Sequence, residues 1–215
     1  GEVTFYAKWN ANTDPPYTVE HYQQPVSGSD YVKVDTDPLS GTTDSLATAI
    51  AKTSYTGLAE NSTHPGRVAS GNIAGNGSLV LKLYYDRTLH TVQFDANGGS
   101  SVADITNIRY GATIGTPIEP TRTGYTFGGW YKESSLNTLY NFTTDTITAD
   151  TTLYAKWTAN SYTVSFDAEG GVAVTSMDVT YDETYGTLPT TSRTGYTFVN
   201  WMTGDNGTGS EVTAG

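Results

Sequence analysis

A long internal repeat constrains the fold of this chain more than any other feature. Segment 90–130 begins HTVQFDANGG and ends RTGYTFGGW, and segment 162–201 begins YTVSFDAEGG and ends RTGYTFVNW. Trp130 recurs as Trp201, so the repeat has a period of about 71 residues. Repetition at such a period predicts an array of small modules that share one fold.

A shorter phrase marks the end of a module and occurs twice. TTLYAKWTAN occupies residues 151–160, and VTFYAKWNAN occupies residues 3–12. Segment 162–215 ends in EVTAG, at the point where its own copy of the phrase is due. We therefore predict that residues 1–9 are the terminal strand of a preceding repeat, and that the module at 162–215 lacks its last strand.

A module without its last strand exposes a row of unpaired backbone groups and an apolar face. We therefore expect residues 3–9 to pair with an ordered partner, and two alternatives stay open. In one, the segment docks head to tail on the open edge of 162–215 in a neighbouring molecule. In the other, it packs against the first module of its own chain.

Residues 17–87 form a unit of a different kind. Strands are predicted at 17–23 and 31–35, and the leucines of LVLKLYYD at 79–86 alternate towards one face. The order of these elements, with the helix described next, suits a β-grasp module.

One segment of this unit, TTDSLATAIAKT at 42–53, is predicted to be a helix. Thr43 or Asp44 can cap its N-terminus, and Leu46 and Ile50 fall on one helical face. The three units, 17–87, 90–157 and 162–215, are expected to be separated by the short linkers NANTDPP, TLH and TANS.

Aromatic residues at alternating strand positions are expected to fill the cores of the repeated modules. Tight turns with positive φ angles are expected at the NGG of 97–99 and the EGG of 169–171. The predicted core residues are Phe94, Phe127 and Trp157 in the first copy, and Phe166 and Phe198 in the second.

Charge and composition exclude several classes of function. The chain has 22 acidic and 11 basic residues, a balance that disfavours nucleic acid and anionic membranes as partners. No apolar stretch has the ~20 residues that a membrane span needs, so no membrane insertion is expected in this segment. The absence of cysteine excludes disulfides and thiolate catalysis.

No cofactor, metal or catalytic site is predicted. His21, His64 and His90 are expected in a strand, a loop and a linker, without the spacing of metal ligands. Tyr22, Tyr84 and Tyr154 are the candidate ligand-binding residues, because exposed tyrosine rings stack on sugars. The alternative is that they form cross-strand pairs on an open sheet face.

The phrases FDANGG, PTRTGYTFGGWY and LYAKW resemble the Listeria–Bacteroides repeat, also called the internalin-B B-repeat. The resemblance covers 91–157 almost completely and 163–201 with VNWM in place of GGWY. Residues 17–87 are similar to MucBP (mucin-binding protein) repeats, through YTVEHYQQ, YVKVDTDPLSGTT and GSLVLKLYYDR. Both resemblances imply β-grasp modules of long bacterial surface proteins, either attached to the cell wall or secreted, with an adhesive or spacer role.

We therefore expect a β-rich α+β protein, in which tandem β-grasp (ubiquitin-like) modules form an elongated rod. The leading functional hypothesis is a non-enzymatic adhesin stalk or spacer with weak multivalent adhesion to host or surface glycans, mucins or proteins. One alternative is a glycan- or mucin-binding module centred on 17–87. Another is a set of accessory modules of a secreted polysaccharide-active enzyme.

Overall fold

The computed structural model describes residues 1–214, and it is built almost entirely from β-strands. No α-helix occurs in that range, where the only helical turn is a 3₁₀ turn at Asp205–Gly207. The strands, in chain order, are β1 Pro16–Gln23, β2 Val32–Ser40, β3 Leu46–Thr48, β4 Leu58–Glu60, β5 Ser70–Asn72, β6 Val80–Arg87, β7 Leu89–Asp95, β8 Ile105–Arg109, β9 Tyr125–Tyr131, β10 Thr151–Ala159, β11 Ser161–Val164, β12 Met177–Thr180, β13 Trp201–Gly204 and β14 Thr208–Val212.

These strands fall into two compact units. The first contains residues 1–93, 104–116 and 141–151, and the second contains 94–103, 117–140 and the chain from 152 onwards. Two four-stranded sheets are present in the described chain, with strand orders β2-β1-β6-β4 and β8-β7-β10-β9. The prediction of a β-rich protein is confirmed.

The sheet β2-β1-β6-β4 forms the floor of the first unit's core. Strand β1 pairs antiparallel with β2 and parallel with β6. The predicted alternation along β6 is confirmed, because Leu81, Leu83 and Tyr85 are all buried on one face. They pack with the buried side chains Val19, Ala47 and Ile73.

The predicted helix at 42–53 is wrong. Its first residues form a turn, in which Ser45 N–H donates to Thr42 O at 3.1 Å, and Leu46–Thr48 pairs antiparallel with Ser70–Asn72. The buried side chain is Ala47, whereas Ile50 is 83% exposed. The alanines of this segment therefore follow the two-residue period of extended chain, and pairing with β5 outweighs the weak helix preference of a threonine-rich stretch.

Two of the predicted linkers are strands instead. Strand β6 ends at Arg87 and β7 begins at Leu89, so His90 lies within β7 rather than in a linker. Likewise β10 continues to Ala159, and β11 begins at Ser161. Threonine favours extended structure, which is consistent with strands that continue through these segments.

In the second unit, the end of the repeat at 90–157, which we call the middle repeat, packs around one tryptophan. Strands β9 and β10 pair antiparallel, with Trp130 opposite Ala155 and Phe127 opposite Trp157. Trp130 is only 2% exposed, and its ring lies 4.8 Å from Phe94 and 5.6 Å from Phe127. Trp157 in turn lies 5.4 Å from Phe127. The three expected core residues are half-buried, and the fully buried ring at their centre of contacts is Trp130.

The repeated turns are confirmed. In the NGG turn Asn97 has φ 45° and Gly98 has φ 85°, and in the EGG turn Glu169 and Gly170 have φ 47° and 80°. The repeat at 162–215, which we call the last repeat, contains two antiparallel pairs. Strand β11, before the EGG turn, pairs with β12, and β13 pairs with β14.

Residues 1–9 form no strand, and all of them are exposed. Phe5 is 92% exposed and Trp9 is 87% exposed. The alternative that this segment packs against the chain's own first module is therefore wrong.

Candidate functional site

Four aromatic rings meet on the sheet of the first unit, and we call Tyr22, Tyr31, His64 and Tyr84 the tyrosine cluster. The Tyr84 ring stacks on His64 at 3.7 Å between centroids and on Tyr22 at 4.9 Å. Tyr31 meets both Tyr84 and His64 edge-on, at 5.3 and 4.6 Å. Two of the three predicted ligand-binding tyrosines are thus brought together.

Backbone pairing explains this cluster. The parallel register of β1 and β6 sets Tyr22 opposite Tyr84, as expected for a cross-strand pair. His64 is positioned by the loop after β4, where its Nδ1 accepts a hydrogen bond from Gly66 N–H at 3.1 Å. A Cβ at Gly66 would lie 2.7 Å from the Tyr84 hydroxyl, so a larger residue there would require the Tyr84 ring to shift.

Two hydroxyl groups of the tyrosine cluster donate hydrogen bonds to carboxylates. The Tyr22 hydroxyl donates to Glu20 at 2.6 Å, and Lys33 donates to the same carboxylate at 2.9 Å. The hydrogen bond to Glu20 raises the pKa of Tyr22 to about 12, and the bond from Tyr22 is the main cause that lowers the pKa of Glu20. The Tyr31 hydroxyl donates to Asp86.

The tyrosine cluster therefore offers flat aromatic surface beside hydrogen-bonding carboxylates, which are the groups that bind the faces and hydroxyls of a sugar. Its rings are half-buried, because they cover part of one another. Tyr154, the third candidate, belongs to β10 and stands opposite Tyr131 of β9, so it is not part of this cluster.

A buried polar network in the same unit was missed by the sequence analysis. His21 is fully buried; its Nε2 lies 3.0 Å from Asp37 and its Nδ1 lies 2.8 Å from the Tyr85 hydroxyl. Because a carboxylate can only accept, the Nε2 of His21 donates to Asp37. The signal was present, since His21 lies two residues from the buried Val19 on the same strand face.

Lys52 completes this network. Its ammonium group donates to Asp37 at 2.7 Å and also to Asp35. The hydrogen bonds from Lys52 are the main cause that lowers the pKa of both carboxyl groups. The network is internally satisfied, which favours a structural role, and within residues 1–214 no three side chains are grouped as metal ligands.

The last repeat contains a cavity of about 560 Å³, which we call the third-repeat cavity. Phe166, Phe198 and Trp201 form an aromatic wall of this cavity. The Trp201 ring centroid lies 4.8 Å from that of Phe166 and 5.2 Å from that of Phe198. The lining also includes residues of β13 and Glu169 of the EGG turn. Asp167, Glu169 and Asp205 also line the cavity, so it combines aromatic and acidic side chains.

Comparison with known proteins places most of the repeated region in one family. Residues 90–156 and 162–215 match the Listeria-Bacteroides repeat domain. A protein of Evansella cellulosilytica named as a membrane protein is 31% identical over 201 residues, which are 93% of this chain and 29% of that protein. A second protein of that organism, named as a Gly-rich membrane protein, is 29% identical over 93% of this chain and 22% of its own length.

Internalin H of Listeria monocytogenes is 38% identical over 121 residues, which are 55% of this chain and 21% of internalin H. The chain thus spans less than a third of each of these relatives. The described residues contain no helix with the length and apolar character of a membrane span.

Proposed function

The chain belongs to the Listeria-Bacteroides repeat domain family, and we propose that it is a stalk or spacer section of a bacterial surface repeat protein. The observation that carries the proposal is the tandem repetition of one small domain, because repetition lengthens a stalk or multiplies weak contacts. A single catalytic site gains nothing from such repetition, and we propose no enzymatic activity. The names of the relatives support a location on the cell surface, either cell-wall attached or secreted.

We further propose that segments 17–87, 90–157 and 162–215 are three β-grasp modules, the first of MucBP type. The strand orders support this. In the first sheet the hairpin β1–β2 has the late strand β6 beside β1, and in the second the hairpin β7–β8 has β10 beside β7. The MucBP assignment rests on sequence resemblance alone.

Small-angle X-ray scattering of the whole chain tests the stalk proposal. Three modules in line predict a rod of roughly 90–100 Å with a radius of gyration of about 28 Å, whereas a compact chain of this length would give about 17 Å. A measured radius near the compact value would remove the proposal.

A second candidate is binding of glycans or mucins by the tyrosine cluster, with Tyr154 as a separate contact. The observation that favours it is the stacking of Tyr22, Tyr84 and His64 beside the Glu20 carboxylate. The whole chain should bind immobilised mucin saturably, and Tyr22→Ala should lower its affinity at least tenfold. Tyr162→Ala, which removes an exposed tyrosine of the last repeat, is the matched control. Absence of binding by the wild-type chain would eliminate this candidate.

Self-association is the third element of the proposed function. We propose that molecules associate head to tail through residues 3–9 and the open edge of 162–215, which would extend a stalk without a new type of module.

A further inference from the structure

We propose that a glycine and a tyrosine form the same joint at both junctions between modules, and that this joint fixes the orientation of each module on the next. It deepens the proposed stalk function, on which it rests for the module boundaries 17–87, 90–157 and 162–215. Modules in line resist bending only if their junctions do, and motion between adjacent domains is otherwise the default. Each joint lies within one of the two compact units.

The first joint connects 17–87 to the middle repeat through a single residue. Thr88 is the only residue between β6 and β7. Its N–H donates to the carbonyl of Gly57 at 2.9 Å, and its carbonyl accepts from the N–H of Tyr110 at 2.8 Å. Thr88 therefore links a turn of the module before it to the end of β8 in the module after it.

The Tyr110 ring lies directly over Gly57. A Cβ on this glycine would lie 2.1 Å from the Cγ of the ring, so a side chain there would displace the tyrosine. Gly57 also has φ 71°, in a turn that is closed by a hydrogen bond from Leu58 N–H to the carbonyl of Tyr55 at 3.2 Å. The glycine thus allows the positive φ of the turn and presents bare backbone to the ring.

The second joint repeats this arrangement between the middle and last repeats. Asn160 is the only residue between β10 and β11. Its N–H donates to the carbonyl of Gly124 at 2.9 Å, and its carbonyl accepts from the N–H of Tyr181 at 2.8 Å. Gly124 has φ 78°, and a Cβ on it would lie 2.3 Å from the Cγ of the Tyr181 ring. The joint therefore recurs although 17–87 and the repeats differ in sequence.

Side chains add contacts across each junction, and these differ between the two joints. At the first joint, the Arg87 guanidinium donates to the carbonyl of Tyr110 at 2.9 Å. At the second joint, the Tyr125 hydroxyl donates to Asp182 at 3.0 Å. The Tyr125 ring also meets Tyr181 edge-on, with centroids 5.6 Å apart. These contacts lie away from the connecting residue, so they oppose rotation about it.

These contacts give the joint its mechanical effect. Bending at either junction would break two backbone hydrogen bonds and uncover the face of a tyrosine ring, and both changes cost free energy. A contact of this kind between neighbouring modules also couples their stabilities, as in other repeat proteins.

Ring-current shifts test the contact in the whole chain by NMR. Protons above the face of an aromatic ring resonate upfield, so the α-protons of Gly57 and Gly124 should both be shifted upfield. Tyr110→Ala should abolish the shift at Gly57 and leave that at Gly124, and Tyr181→Ala should do the reverse. Each joint is thus the control for the other. Glycine α-protons without an upfield shift in the wild-type chain would overturn the proposal.

Residual dipolar couplings test whether the joint fixes orientation. In the wild-type chain, the amides of β1, β2 and β6 and those of β7 and β8 should fit one alignment tensor. In Tyr110→Ala the two sets should require separate tensors, and residue 110 should exchange its amide up to about tenfold faster, as expected for the loss of one net hydrogen bond.

Two more variants complete this measurement. Tyr110→Leu, which keeps an apolar side chain without a ring, should behave like Tyr110→Ala and serves if the alanine variant does not fold. Tyr181→Ala is the matched control, because it breaks only the second joint and should leave the first pair of tensors equal. Separate tensors in the wild-type chain, or one shared tensor in both Tyr110 variants, would refute the joint as the orienting contact.

The joint and the stalk can fail separately. A compact radius of gyration together with upfield glycine protons would remove the stalk and retain the joint. An extended chain whose glycine protons are unshifted would retain the stalk and remove the joint.

Discussion

Replacing Trp130 by alanine should destabilise the middle repeat severely. The ring is 2% exposed and contacts Phe94 and Phe127. A tryptophan buries up to about 250 Å², which at ~25 cal/mol per Å² corresponds to roughly 6 kcal/mol as an upper limit. Residual burial in the unfolded chain reduces this value by about 10–40%, so we expect the free energy of unfolding to fall by about 3–5 kcal/mol.

The matched control is the same substitution at Trp201. That ring occupies the equivalent position but is half-buried, so Trp201→Ala should cost roughly half as much. Because several modules unfold in one chain, the assay is hydrogen exchange in increasing urea, followed separately for peptides from 90–157 and 162–214. A loss below about 1 kcal/mol at Trp130, or equal losses at the two sites, would refute the idea that this indole closes the core.

Three other perturbations have defined outcomes. Gly99→Ala should lower the melting temperature of the chain because its Cβ collides with the indole of β10, whereas Gly115→Ala, which meets no atom within 4 Å, should leave it unchanged. Lys52 lowers the pKa of Asp35 and Asp37 below 3.8, so the ion pairs stabilise the fold fully above about pH 4. This stabilisation is lost as the pH falls through the lowered pKa values. Lys52→Met should therefore flatten the decline of the melting temperature on acidification. Glu20→Gln should return the pKa of Tyr22 from about 12 towards 10.0, as measured by NMR titration of the ring carbon, and an unchanged value would show that the hydrogen bond does not set it.

The features that follow from local sequence periods could be predicted from the sequence. The alternation of Leu81 and Leu83 gives the buried face of β6, and the paired Asn97–Gly98 turn needs only the two residues that tolerate positive φ. The prediction of a helix at 42–53 also used a local pattern, and it is wrong. A leucine and an isoleucine four positions apart suggest a helical face, but the pairing with β5 that makes them exposed lies more than twenty residues along the chain.

The site depended on contacts between distant strands, and only part of it could be predicted. Tyr22 and Tyr84 were identified individually, but their stacking follows from the parallel register of β1 and β6, which no sequence period encodes. His21 has only one local signal, its place on the buried face of β1. Its partners Asp37 and Tyr85 come from β2 and β6, so the network exists only after the sheet has formed.

Comparison of the two repeats distinguishes the features that both copies share from the burial that differs between them. Both copies carry the FDA phrase, a positive-φ turn and the RTGYTF phrase, and both pack Phe94 or Phe166 4.8 Å from the following tryptophan. They differ in burial, because Trp130 lies opposite Ala155 of β10 and Trp201 lies opposite Val212 of the short β14. The aromatic framework thus forms without a TTLYAKW strand, whereas full exclusion of water requires one.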